Sequence, residues 1–154
     1  MKKVANALLV SIITTWAFVS IAQANINKEQ AYCLAQNIFF EARNEPLEGQ
    51  LLVAEVTLNR VDSKSYPDNI CNVVWQRKQF SWTHDGKHDD PTRMNYLDRV
   101  AWKQIQKAAV QILNDDSVLP GTTSTHYHAD YVKPYWTKDM NYLGKVGTHL
   151  FYSK

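Results

Sequence analysis

Of the 15 acidic residues in this sequence, Glu41, Glu45, Glu48, Glu55 and Asp85 are the ones to weigh for proton transfer. Glu41 stands apart because it follows Phe39 and Phe40, apolar surroundings of the kind that desolvate a carboxyl group and keep it protonated. A protonated carboxyl facing a cleft is the proton donor that cleavage of a glycosidic bond needs. Spacing alone leaves a structural role for Glu41 open. Glu45 and Glu48 stand where a helix should begin, and the helix dipole favours negative charge there without any catalytic task. Glu55 lies inside an apolar stretch and reads either as the buried partner of Arg43 or Arg60 or as a second catalytic carboxylate. Asp85, in a polar loop, is the other candidate for that second role.

Sugar rings present apolar faces edged with hydroxyls, so a cleft for them needs flat aromatic walls and a few fixed polar groups. Gln79, Phe80 and Trp82, with Tyr127, Tyr131 and Trp136, are the candidates, although each aromatic alone could be ordinary core. The histidines offer a different chemistry. His126 and His128 alternate along one face of an expected strand, and His149 sits on its expected partner, with His84, Asp85 or His88 in a loop to complete a zinc set for an amidase or peptidase. Their spacing matches no tight zinc signature, so the expectation is no metal and no other cofactor. A non-catalytic sugar-binding module or a lysozyme inhibitor would keep the aromatics and have no need of Glu41.

The elements that must position these residues are legible from periodicity. Ala31, Leu34, Ala35, Ile38, Phe39 and Ala42 recur at helical spacing and predict a helix over 28–42, with Asn27 and Gln30 arranged as a capping box. Glu41 falls on the border of that stripe. Arg43, Asn44 and Glu45 form a break, and Pro46 suits the first turn of a second helix that ends near residue 61. Apolar residues surround this second helix almost completely, which marks it as the buried central one. Residues 62–90 read as mostly irregular and as a cover for the cleft, and a third helix is predicted over 96–113. Pro120 and Gly121 turn the chain into two short strands, 125–129 and 146–152, joined by a long connection.

Residues 1–24 have the form of an export signal: Lys2 and Lys3, an apolar run from Ala7 to Ile21, then Ala22-Gln23-Ala24 before a cut. An uncleaved anchor is the alternative, but the run is short for a bilayer span. Cleavage would leave 25–154 as a single domain in the periplasm or outside the cell, without stable membrane insertion. It would also remove two of the 17 basic residues and none of the 15 acidic ones, leaving no formal net charge. A nucleic-acid partner is not expected from such a balance. Both cysteines, Cys33 and Cys71, would then meet an oxidising compartment, where a disulfide is favoured over two buried thiols.

Several motifs together resemble one family. Glu41-Ala42-Arg43-Asn44-Glu45-Pro46, Glu48-Gly49-Gln50, Val53-Ala54, Leu58-Asn59-Arg60-Val61, Gln79-Phe80-Ser81-Trp82, Thr125-His126-Tyr127, Pro134-Tyr135-Trp136 and Gly147-Thr148-His149-Leu150-Phe151-Tyr152 are similar to the SleB-type cell wall hydrolases, the spore cortex-lytic enzyme family. The resemblance implies an α+β domain, mainly helical and lysozyme- or transglycosylase-like, with a small antiparallel sheet. It further implies action on the bond between N-acetylmuramic acid and N-acetylglucosamine in the glycan strands of peptidoglycan, with Glu41 as the acid/base. Phe40 and Asn44 stand where that family often has glycine, and Glu55 where it commonly has a small apolar residue. The lack of an evident second acid favours a lytic transglycosylase over a hydrolase.

Overall fold

A computed structural model describes residues 27–154, so the expected export signal at 1–24 lies outside the described residues. Helix α1 occupies 27–42 of these. It is followed by α2 (Leu47–Val61), the short α3 (Ile70–Val74), α4 (Tyr96–Asn114), and strands β1 (His126–Ala129), β2 (Asn141–Val146) and β3 (His149–Ser153). The architecture is the expected α+β one, helical with a small antiparallel sheet, but the sheet has three strands in the order β1-β3-β2 rather than two. The additional strand, β2, lies inside what the sequence reads as a connection. Its residues are mostly exposed and a register shift between Tyr142 and Gly144 interrupts its alternation, so it carries no apolar period to detect.

The helices pack because their apolar stripes meet. Leu34, Ala35, Ile38 and Phe39 of α1 join Ala54 of α2, Ile70 and Val74 of α3, and Trp102, Ile105, Ala109 and Ile112 of α4 in the main core. α2 runs through the centre, with Leu52, Val53 and Val56 turned toward Ala42 and Phe151 in a second cluster that fastens the sheet to the helices. Tyr127 packs against both clusters and marks the seam between them. Most polar side chains on the buried faces are paired, as their desolvation demands, and among the described residues His149 Nδ1 is the buried side-chain atom left without a hydrogen bond. Asn37 donates to Thr57 Oγ1 at 3.0 Å and accepts from Trp82 Nε1 at 3.4 Å.

The segment expected to be irregular contains α3, which is capped by the Asn69 side chain accepting from the Asn72 amide at 2.9 Å. A disulfide joins Cys71 of α3 to Cys33 of α1, with their Cα atoms 5.2 Å apart. Gln30, expected to reach back over the start of α1, accepts from the Cys71 amide at 3.2 Å. Among the described residues, no helix is long and apolar enough to cross a membrane.

Candidate active site

Glu41 lies in the last turn of α1, which ends because Arg43 and Asn44 turn the chain and Pro46, without an N–H, precedes α2. Arg43 anchors this ending. Its Nε donates to Asp98 Oδ1 at 3.0 Å in the first turn of α4, and its guanidinium lies 5.0 Å over the Phe39 ring. The Glu41 side chain is half-buried, and Tyr127 of β1 donates its hydroxyl to Glu41 Oε2 at 3.1 Å. Burial raises the pKa of Glu41; the Tyr127 hydrogen bond and the Arg60 charge pull it down but do not cancel the effect of burial. Tyr127 itself is held well above the usual phenol range, first by burial and then by the neighbouring carboxylate, so it remains a donor.

Behind the pair sits Arg60 of α2, only 4% exposed. Its Nε donates to the Thr125 carbonyl at 2.8 Å, and its guanidinium lies 5.5 Å over Tyr66 and 5.2 Å over Phe80. The Gln79 amide satisfies its neighbours with its oxygen toward Arg60, accepting from Nη1 at 3.0 Å. Arg60 therefore supplies a fixed positive charge near the Glu41 carboxyl. From the sequence Arg60 reads as a partner for Glu55 and as part of the Leu58-Asn59-Arg60-Val61 motif, without a link to Glu41. The aromatic residues at 66 and 80 were the available signal that a buried guanidinium could be caged here.

The expected partners of Glu41 are distributed more widely than the sequence implied. Glu55 is 3% exposed, and its carboxylate accepts from the Gly121 amide at 2.6 Å, the Thr122 amide at 2.9 Å and the Thr122 hydroxyl. It pairs with neither Arg43 nor Arg60; it holds the chain entering β1. Asp85 accepts from the Lys87 amide at 2.9 Å and pairs with Lys87 Nζ at 3.3 Å, an arrangement confined to its own loop. Phe80 and Trp82, expected as cleft walls, are 4% and 5% exposed and belong to the core, Trp82 stacking on Phe40 at 4.6 Å. Tyr131 is 84% exposed. Trp136 packs between His126 and His128, at 5.3 and 5.6 Å, and against Tyr152.

Strand register sorts the histidines. His126 pairs with Tyr152 and His128 with Leu150, whereas His149 pairs with Ala129, so His149 shares the opposite sheet face with Tyr127 and Phe151. The expected zinc set is thus divided between the two faces of the sheet. Instead, His128 bonds Tyr152 Oη at 3.1 Å and His126 bonds Tyr66 Oη at 3.4 Å. Among the described residues, no three or more His, Cys, Asp or Glu side chains converge to hold a metal ion.

A model of the cell wall hydrolase family matches residues 44–152. The spore cortex-lytic enzyme of Halalkalibacterium halodurans is 29% identical over 122 residues, which are 77% of this chain and 33% of that protein. That of Bacillus subtilis is 27% identical over 123 residues, 77% of this chain and 35% of that protein. The chain thus spans about a third of the length of these relatives. The structure of the catalytic domain of the germination-specific lytic transglycosylase SleB from Bacillus anthracis superposes with a TM-score of 0.62 at 26% identity, covering 80% of this chain and 93% of that domain. The catalytic domain of Bacillus cereus SleB superposes with a TM-score of 0.59. With most of its described residues inside the family match and its fold shared with two SleB catalytic domains, the chain belongs to the cell wall hydrolase family.

Proposed function

We propose that this protein is a peptidoglycan glycosidase that cleaves the β-1,4 bond between N-acetylmuramic acid and N-acetylglucosamine as a lytic transglycosylase, with Glu41 as its acid/base. The observation that carries the reading is a half-buried carboxyl with a raised pKa at the end of α1, hydrogen-bonded by Tyr127. The family match begins three residues after Glu41, so the role of this residue rests on its surroundings and on the motif it opens. The likeness to a domain described as a lytic transglycosylase supports the reaction class.

In the first step Glu41 gives its proton to the glycosidic oxygen as the C1–O bond of the muramic residue breaks, and the glucosamine leaves as an alcohol. Positive charge develops on the muramic ring, and the carboxylate so formed keeps a hydrogen bond from Tyr127. In the second step that carboxylate takes the proton of the muramic C6 hydroxyl while O6 bonds to C1, which closes a 1,6-anhydro ring and restores the acid. One carboxylate completes this cycle. A hydrolase of the usual kind would need a second one about 5 to 9.5 Å away, and the two acids considered for that task, Glu55 and Asp85, are committed to Thr122 and Lys87. The reading includes export by residues 1–24 and a single catalytic domain over 25–154, acting in the periplasm or cell wall. Tyr127, Gln79, Tyr131 and Trp136 remain candidates for substrate contact.

Mass spectrometry of the soluble products from purified peptidoglycan tests this. The expected result is muropeptides ending in 1,6-anhydro-muramic acid, made with or without chelator and reduced about a hundredfold or more by Glu41→Gln. Reducing ends would make the protein a hydrolase. Cut peptides with intact glycan strands would overturn the assignment.

A further inference from the structure

Glu45 is the second acid of the α1–α2 junction, and the helix dipole accounts for its charge without accounting for its direction. Both of its oxygens reach across to the turn between β2 and β3. Oε2 accepts from the Thr148 amide at 2.9 Å, and Oε1 accepts from the Thr148 hydroxyl. The turn is built around the carboxylate: Gly147 has φ +56°, and a Cβ there would lie 1.7 Å from Glu45 Oε2. Glycine is thus required twice over, for the backbone conformation and for the space. The Glu45 side chain is only 10% exposed. Burial raises its pKa, but the two Thr148 bonds and His149 outweigh that and hold it below the ordinary carboxylate range.

The next residue, His149, extends the contact. Its buried ring stands perpendicular to that of Tyr127 at 5.2 Å, and its Nδ1 faces Glu45 Oε1 at 3.9 Å. Phe151, two residues further along β3, packs against Tyr127 at 5.7 Å. Tyr127 then donates to Glu41, four residues before Glu45 in the chain. A closed circuit therefore runs from the helix junction through the turn and sheet and back to the same junction. We propose that Glu45 is a positioning residue: by clamping the β2–β3 turn to the α1–α2 junction it seats His149 against Tyr127 and thereby aims the Tyr127 hydroxyl at Glu41.

This inference rests on Glu41 being the acid, and its test separates the two claims. The carboxyl of Glu41, labelled with carbon-13, is titrated by NMR in the full protein and in Glu45→Ala, Tyr127→Phe and the double variant, with kcat and KM measured alongside. The groups that face Glu41 are Tyr127 of β1 and Arg60 of α2. Loss of the Tyr127 hydrogen bond removes a group that favours the carboxylate, so the Glu41 titration moves upward in Tyr127→Phe. Glu45→Ala should move it in the same direction and lower kcat about tenfold to a hundredfold, with KM little changed. Adding Glu45→Ala to Tyr127→Phe should produce no further shift, because both act on one hydrogen bond. Glu45→Gln, which keeps an acceptor for Thr148, should recover part of the loss. An unshifted Glu41 titration in folded Glu45→Ala, or additive effects in the double variant, would overturn the proposal. Should Glu45→Ala fail to fold, Thr148→Val removes only the hydroxyl arm and must give a smaller shift of the same sign. Survival of activity in Glu41→Gln would defeat the functional reading, and the titration would still decide whether the clamp orients Tyr127.

Discussion

A carboxyl group made reluctant to ionise is costly to the fold that holds it, and Glu41 should reveal that cost in the dependence of stability on pH. Its folded-state pKa is raised, first by burial. The folded protein therefore holds the Glu41 proton more tightly than the unfolded chain does. The associated stability is fully present below the pKa of an unfolded glutamate and is lost as pH rises through the higher folded value. Glu41→Gln keeps a neutral group that can still accept from Tyr127, so it escapes this loss. The variant should match the parent in acid and melt a few degrees above it at neutral pH, a gain of the kind that accompanies removal of a carboxyl group that burial makes reluctant to ionise. Thermal melts of both proteins across the acid-to-neutral range check this; parallel curves would mean that Glu41 is ionised without penalty. Glu45 has the opposite sign. Despite burial its pKa is lowered by Thr148 and His149, so its contribution is present above the unfolded value and fades as pH falls through the folded one.

The elements that carry these residues differ in how plainly the chain announces them. α1 and α4 are legible because their apolar stripes repeat over several turns and carry their buried residues, and α2 because it is apolar nearly all round and is buried accordingly. α3, with five residues, is too short to display a period, and β2 is an exposed edge strand broken by the irregularity at Tyr142 and Gly144. At the site, Glu41 could be singled out from its neighbours, and Tyr127 from its type. The hydroxyl–carboxyl contact between them could not, since it depends on the side of the strand that Tyr127 faces, and a shift of one residue would exchange it for His126 or His128. Residue type also failed to separate Trp82, which is core, from Tyr131, which is exposed. Glu55 is the sharpest case. An acid in the middle of a buried helix reads as chemistry or as an ion pair, whereas here it accepts three hydrogen bonds from Gly121 and Thr122 at the entry to β1. Glu55→Gln should therefore cost about 1 kcal/mol of stability, Glu55→Ala about 2 to 4 kcal/mol, and the Gln variant should retain the parent kcat. Denaturant melts and turnover of the folded variants check both parts, and a hundredfold loss of kcat in a stable Glu55→Gln would return Glu55 to the chemistry.

At the scale of the whole molecule, the contact between Glu41 and Tyr127 depends on keeping α1, α2 and the sheet in register, and the disulfide encloses the helical part of that arrangement. Cys33 lies eight residues before Glu41 on the same helix, and its bond to Cys71 on α3 closes a loop of 38 residues that contains Glu41, Glu45 and all of α2. A loop of that length restricts the unfolded chain by about 3 to 4 kcal/mol in the chain-entropy description. For a folded domain of this size that corresponds to a melting temperature lower by roughly 10 to 20 °C after reduction. The bond restrains the unfolded chain more than it shapes the site, because Glu41 is positioned by the helix end, by Arg43 on Asp98 and by Tyr127, none of which requires the sulfur bridge. Reduction, or the Cys33→Ser and Cys71→Ser pair, should therefore lower the melting temperature sharply while leaving turnover at low temperature close to that of the oxidised protein. Melting curves with and without reductant, paired with turnover well below the lower transition, separate the two effects. Equal melting temperatures would mean that the bond contributes nothing to stability, and a collapse of turnover in protein that remains folded would mean that it holds Glu41 in place as well.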